Sequence, residues 1–184
     1  MLRRTFLVRT ASLLALPLIA LAASPARPVA ETSTTIILVR HGEKTAEPKE
    51  DPTLTPEGEA RATALADVVR SAGISAIYST AWKRTQLTAR PVSEQLKVPI
   101  TTFDAGTPGS RDYGQVYAAE LLAKQRGKVV LVVGHSNTLP AILRGLGIAD
   151  APVIPDAEHD NLFIVTIPEA GPARVVRARY GAAS

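Results

Sequence analysis

The stretch from Thr34 to Glu43, TTIILVRHGE, decides how this chain folds. It begins with a continuous β-branched and apolar run, which is typical of a strand buried on both faces of a parallel sheet. Arg40, His41 and Gly42 follow directly, so we expect them at the carboxyl end of this strand. Because ligands of open parallel sheets bind beyond the carboxyl ends of the strands, the stretch predicts a polar site there.

Strands alternate with helices in the rest of the sequence. Thr55 is expected to cap a helix that has Pro56 at its first position. The apolar stripe of this helix is predicted to consist of Leu65, Val68, Val69 and Ala72. Further helices are expected from residue 81, with a bend or break near Pro91, over 113–126, and from 137 or 138 to about 145. Further strands are expected at 74–78, 99–103, 128–133, 162–167 and 174–179.

This order of elements predicts the fold class. Alternating strands and helices favour an α/β fold, a three-layer α/β/α sandwich around a mostly parallel sheet. The last two strands are separated by Pro168 to Pro172, a length suited to an antiparallel hairpin. We therefore expect one domain over residues 34–181, with the C-terminal hairpin as its antiparallel part.

Composition excludes several classes of function. The 184 residues include no cysteine, so disulfides, thiolate metal sites and a cysteine nucleophile are ruled out. The formal charge of +4 depends on Arg3, Arg4 and Arg9, and removing them from the 21 basic residues leaves 18 against 17 acidic ones. The remaining chain is nearly neutral, which gives no reason to expect a nucleic-acid partner.

The N-terminal segment has the three parts of an export signal. A basic start is followed by a short apolar stretch from Ala11 to Leu21 and by cleavage sites near Ala22 or Ala23. We expect a signal peptide over residues 1–22 and a linker over 23–33, and hence a periplasmic or secreted protein that engages the export machinery. The pair Arg3-Arg4 is compatible with twin-arginine export as well as with the Sec route, and an uncleaved membrane anchor is a third possibility.

Arg40, Arg84 and His135 can join His41 at the predicted sheet edge. His135 follows the β-branched strand that ends at Gly134, and Arg84 lies early in the helix after the second strand. An arginine offers a permanent charge and a planar fork of donors that suits phosphate oxygens. A neutral imidazole is a competent nucleophile towards phosphorus. Two arginines and two histidines therefore indicate phosphoryl chemistry.

These motifs resemble those of the histidine phosphatase superfamily, the phosphoglycerate-mutase-like fold, in its small single-domain branch. The resemblance rests on Arg40-His41-Gly42-Glu43, on the segment from Ser79 to Ala89, and on Val133-Gly134-His135-Ser136-Asn137. It implies that His41 becomes phosphohistidine and that Arg40, Arg84 and His135 bind the substrate phosphate. It also implies that no metal or cofactor is needed, and that the substrate is a small phosphorylated metabolite or a phosphoprotein.

The general acid is the one family feature that the sequence does not supply in its usual place. Many members carry a glutamate shortly after the third strand, and this chain has none there. Asp104 is the first substitute and Asp112 the second. An acid that protonates the leaving oxygen matters most for poor leaving groups, so a chain without one would favour phosphohistidine or acyl phosphates.

Several alternatives remain open from the sequence. A phosphate- or phosphosugar-binding module without catalysis would keep the same pocket, whereas a mutase would need a lid that the short loops leave little room for. Glu43 is expected either to orient Arg40 or Arg84 or to face solvent. His159, between Glu158 and Asp160, is interpreted as part of a solvated acidic turn rather than a metal ligand. The oligomeric state is not predicted.

Overall fold

A computed structural model describes residues 33–103 and 110–184 of the chain. It has six strands and four helices in these ranges. The strands are β1 (Thr34–Arg40), β2 (Ile74–Ser79), β3 (Ile100–Thr102), β4 (Val129–Gly134), β5 (Asn161–Ile167) and β6 (Arg174–Arg179). The helices are α1 (Pro56–Val69), α2 (Lys83–Leu96), α3 (Tyr113–Gln125) and α4 (Thr138–Gly145).

All six strands form one sheet in the order β3-β2-β4-β1-β5-β6. The pairs among β1 to β4 are parallel, whereas β5 runs antiparallel to both β1 and β6. The predicted mostly parallel sheet with an antiparallel C-terminal hairpin is confirmed. In this register Arg40 lies opposite Gly134, and Ser79 lies opposite Val133. The carboxyl ends of β1, β2 and β4 therefore meet at one edge.

The core lies on both faces of the sheet, which confirms the three-layer arrangement. Side chains of β1 alternate between the layers: Ile36 and Leu38 pack with residues of α3 and α4, whereas Ile37 and Val39 pack with residues of α1 and α2. All four are at least 96% buried. A strand that is apolar on both faces is stable only between two helical layers, as its sequence predicted.

Two details of the predicted helices are wrong. α2 continues through Pro91 to Leu96 instead of breaking there. Buried Ala89 and Val92 flank the proline, and their packing compensates for the main-chain hydrogen bond that proline removes. Val68 is 58% exposed, because the buried stripe of α1 runs along other positions and leaves this side chain at its edge.

The start of α1 is fixed as the sequence predicted. The Thr55 side chain accepts a hydrogen bond from the Gly58 amide at 3.2 Å, and Pro56 is the first helical residue. A β-carbon on Gly42 would lie 2.8 Å from the Gly58 carbonyl oxygen, so only glycine allows the loop after β1 to approach α1 this closely. This contact holds the loop that carries the site.

The expected signal peptide and nearly all of the expected linker lie outside the described residues, as does Asp104. Within the described ranges, no helix has the length and apolar character needed to cross a membrane.

Candidate active site

His41 lies just beyond β1 with its ring held in one orientation. The ring is 97% buried, and Nδ1 lies 2.7 Å from the main-chain oxygen of Gly42. A carbonyl oxygen can only accept, so Nδ1 carries the proton and Nε2 keeps a free lone pair. The pKa of His41 is lowered to about 3, mainly by burial and also by the charges of the nearby arginines and His135. The ring is therefore neutral at physiological pH.

His135 follows β4 and faces His41 across the site. The two ring centroids are 5.3 Å apart with the planes inclined at 65°. Nε2 of His135 lies 3.0 Å from the hydroxyl oxygen of Thr80, which fixes the ring. The pKa of His135 is lowered to about 4, mainly by burial and also by the charges of Arg84 and Arg40. Without an anion in the site, His135 is also neutral.

Arg40 combines a structural contact with a free donor. Its Nη1 donates to the main-chain oxygens of Pro155 and Asp156, both at 2.9 Å, and to that of Glu158 at 3.1 Å. Nη2 lies 3.4 Å from the carboxylate of Asp156. Nε is buried and has no hydrogen-bond partner. The guanidinium thus holds the loop before β5 while leaving one N–H unpaired.

Arg84, in the first turn of α2, has a second unpaired donor. Its Nε is also buried without a partner, and its guanidinium lies over the Trp82 ring at 4.7 Å. Thr88, one turn later, donates to the Arg84 main-chain oxygen at 2.8 Å, and its hydroxyl oxygen accepts from the Gly42 amide at 2.9 Å. This pair of bonds ties α2 to the loop that carries His41.

These groups surround one open cavity of about 320 Å³. Buried N–H groups without partners are costly in a folded protein unless a ligand satisfies them. Two such donors, both cationic, beside two neutral imidazoles suit a tetrahedral oxyanion such as phosphate. The lining residues are Arg40, His41, Lys44, Trp82, Arg84, His135, Ser136, Asn137 and Asp156.

The comparison with protein families agrees with this geometry. The model of the histidine phosphatase superfamily (branch 1) matches residues 36–105, a segment that holds Arg40, His41 and Arg84. The resemblance expected from the sequence is therefore confirmed. The chain has the histidine phosphatase fold. The comparison with curated protein sequences found no significant match.

Solved structures with the histidine phosphatase fold superpose on most of this chain. YhfR of Bacillus stearothermophilus matches with a TM-score of 0.64 at 18% identity, over 78% of this chain and 95% of YhfR. The mycobacterial glucosyl-3-phosphoglycerate phosphatase matches with a TM-score of 0.63 at 17% identity, over 81% of this chain and 100% of its own. The phosphoserine phosphatase of Entamoeba histolytica matches with a TM-score of 0.57 at 16% identity, over 81% of this chain and 97% of its own. Identities this low establish the shared fold alone.

The structure brings four of the five predicted site residues together: Arg40, His41, Arg84 and His135 all line the cavity. Asp104, the fifth, lies outside the described residues and stays a prediction. Asp112, the second candidate acid, directly precedes α3 and does not line the cavity.

The expected role of Glu43 is wrong in this histidine phosphatase fold. Its carboxylate contacts neither Arg40 nor Arg84 and does not simply face solvent. It accepts from Arg61 Nη2 at 2.7 Å and from Nε at 3.0 and 3.1 Å. Arg61 is 96% buried and also donates to the main-chain oxygens of Tyr180 and Ala182. The pair therefore joins the loop after β1, α1 and the C-terminal segment.

His159 was missed as a site residue, and its assignment to a solvated turn is wrong. The residue is 92% buried, its ring centroid is 5.6 Å from that of His41, and its Nδ1 lies 2.9 Å from the His41 main-chain oxygen. No local sequence signal could have found it, because its place beside His41 depends on the antiparallel register that pairs Val39 with Leu162. Residues just before Leu162 must therefore lie beside those just after Val39.

Within residues 33–103 and 110–184, no group of three or more histidine, aspartate or glutamate side chains is arranged to hold a metal ion.

Proposed function

We propose that this chain is a phosphatase that hydrolyses a phosphorylated substrate through a phosphohistidine intermediate on His41. The observation that carries the proposal is the pair of buried, unpartnered Nε–H groups of Arg40 and Arg84 beside the neutral His41 ring. A bound phosphoryl group satisfies both donors and brings phosphorus to the nucleophile. The phosphatases among the structures of the same fold support the assignment.

The first chemical step follows from the state of the His41 ring. Nε2 attacks phosphorus while Nδ1–H stays bonded to the Gly42 carbonyl, so the ring cannot rotate away during the attack. Arg40 and Arg84 stabilise the charge on the equatorial oxygens, which is the main requirement of phosphoryl transfer. A phosphate dianion also favours the protonated form of His135, which then adds a third cation. Two arginines and a histidine supply this charge without a metal.

In the second step, water attacks the phosphorus of phosphohistidine and releases inorganic phosphate. Substrate class follows from the same pocket: a small phosphorylated metabolite or a phosphoprotein both fit an open cavity that recognises the phosphoryl group itself. A screen of phosphorylated metabolites and phosphopeptides, with phosphate release as the readout, identifies the substrate.

Trapping the intermediate tests the mechanism. The protein without residues 1–32 is mixed with a radiolabelled phosphoryl donor and quenched within milliseconds to seconds. We expect an acid-labile, base-stable phosphate on the wild-type chain and none on His41→Asn. Turnover should persist in EDTA and be lost in His41→Ala. Full activity of His41→Ala would refute the mechanism.

Phosphate binding is measured in parallel, because it separates this proposal from the non-catalytic module. Trp82 is the only tryptophan and lines the cavity, so its fluorescence reports phosphate or vanadate binding. Saturable binding without a phosphoenzyme, for any donor, would favour the phosphate-binding module.

We also propose export, on the N-terminal sequence pattern alone. Fractionation of cells expressing the full chain, with mass spectrometry of the N-terminus, should find a shortened protein outside the cytosol. Intact protein in the cytosol would contradict the export proposal and leave the phosphatase proposal untouched.

A further inference from the structure

The cavity wall contains a carboxylate that the proposed function does not yet use. Asp156 lines the cavity, with its Oδ1 3.4 Å from Arg40 Nη2 and 3.3 Å from the Ser136 hydroxyl. It lies in the loop before β5, and the sequence did not single it out as a site residue.

Asp156 has no rival among the described residues. It is the one carboxylate among the cavity-lining side chains of residues 33–103 and 110–184. The Glu43 carboxylate is engaged by Arg61, and Asp112 lies outside the cavity. A proton donor for the leaving group has to reach the scissile oxygen. Asp156 is placed for this role by its position on the cavity wall.

The main chain of Asp156 is fixed while its carboxylate is free to move. Arg40 Nη1 holds the Asp156 main-chain oxygen at 2.9 Å. The side chain, by contrast, is 95% exposed, and its contact with Arg40 is long. Arg40 is buried but the Asp156 carboxylate is in solvent, so this single long contact does little to hold the carboxylate in one position. The carboxylate can therefore reorient at the cavity mouth while its main chain stays in place.

We propose that Asp156 is the general acid and base of the reaction, which rests on the proposed phosphohistidine mechanism. In the first step the bond from phosphorus to the leaving oxygen breaks, a bond from phosphorus to Nε2 of His41 forms, and the Asp156 carboxyl proton passes to the leaving oxygen. The carboxylate is then ready for the second step.

In the second step the Asp156 carboxylate takes a proton from the attacking water. The water oxygen bonds to phosphorus, the bond to Nε2 of His41 breaks, and the electron pair returns to the ring. Asp156 ends protonated and His41 neutral, so the cycle closes without another reactant.

The test compares Asp156→Asn with wild type on two phosphoryl donors: phenyl phosphate, a poor leaving group, and p-nitrophenyl phosphate, a good one. We expect kcat for phenyl phosphate to fall by about 10²- to 10⁴-fold, as for loss of a general acid. Formation of the phosphoenzyme from p-nitrophenyl phosphate should change much less. The phosphate Kd, from Trp82 fluorescence, should not rise, since the variant removes a negative charge from beside Arg40. Asp156→Glu should recover part of the phenyl phosphate activity.

Asp150→Asn is the matched control, because Asp150 is a fully exposed aspartate of the same loop and lies outside the cavity. It should leave both rates unchanged. An equal fall for the two donors in Asp156→Asn, or no fall, would overturn the assignment of Asp156. The same outcome in Asp156→Asn with a selective loss in Asp104→Asn would place the acid at Asp104 instead. If wild type forms no phosphoenzyme from either donor, the proposed function itself fails.

Discussion

Nδ1 of His159 donates a hydrogen bond to the main-chain oxygen of His41 across 118 positions of sequence. The distance is 2.9 Å, and the donor direction is fixed because a carbonyl oxygen only accepts. His159 is itself anchored, since its main-chain amide donates to the Ser184 hydroxyl at 2.9 Å. His41 is thus positioned by β1 on one side and by the segment before β5 on the other.

Replacing His159 should therefore impair positioning more than binding. We expect His159→Phe to destabilise the fold by about 1 to 3 kcal/mol, because the buried His41 carbonyl loses its donor. The rate of phosphoenzyme formation should fall while the phosphate Kd changes little. His159→Gln, whose amide can donate, should recover part of that rate. A rate loss that is the same in both variants would contradict the positioning role.

Arg40 and Arg84 should differ in their effect on stability. Arg40→Met and Arg84→Met should both weaken phosphate binding, because each removes a buried donor that the anion satisfies. Arg40→Met also removes the hydrogen bonds to three main-chain oxygens of the loop before β5. We therefore expect it to lower the free energy of unfolding by about 2 kcal/mol or more. Arg84→Met should cost less than 1 kcal/mol. Urea unfolding and phosphate titration of the two proteins measure this; equal losses of stability would contradict it.

Glu43 should act on stability through Arg61. Glu43→Ala leaves the buried Arg61 guanidinium without its carboxylate, and breaking a buried pair costs about 3 to 5 kcal/mol. Since Glu43 is partly exposed, we expect about 3 kcal/mol in urea unfolding. Glu59→Gln, an exposed change in the same part of the chain, should stay within about 0.5 kcal/mol. A loss for Glu43→Ala no larger than that of Glu59→Gln would show that the pair is not structural.

The lowered pKa values of His41 and His135 predict acid sensitivity. Their folded values of about 3 and about 4 lie below the unfolded value of 6.5, so between pH 6.5 and pH 4 the unfolded chain binds more protons. Stability is fully present above pH 6.5 and is lost as the pH falls. At pH 5 the free energy of unfolding should be lower than at pH 8 by roughly 2 kcal/mol for each of the two histidines. Urea unfolding at the two pH values measures the loss.

The control for this prediction is His41→Asn, which removes one of the two titrating groups. Its loss of stability between pH 8 and pH 5 should be smaller than that of wild type by roughly 2 kcal/mol. A wild-type protein whose stability is unchanged between these pH values would contradict the burial of neutral imidazoles.

Local signals predicted the mostly parallel sheet and the four site residues that line the cavity. The apolar run that ends at Arg40 could only be a strand between two helical layers, and Gly134 ends an equivalent run next to it in the sheet. Parallel strands present their carboxyl ends at one edge, so His41 and His135 were expected to be close if the two strands are neighbours, and the sheet order shows that they are. Thr55 and Pro56 fixed the start of α1 by capping chemistry that depends on adjacent residues alone.

The partners of these residues depended on tertiary structure. Glu43 binds Arg61, His41 contacts His159 through its main chain, and Arg40 binds the loop that carries Asp156. No periodicity or cap links residues so far apart, since each contact follows from the register of β5 on β1 and from the approach of α1 to the loop after β1. Local sequence patterns therefore predicted the fold and the residues around the cavity, whereas the contacts that orient those residues depend on the packing of distant segments.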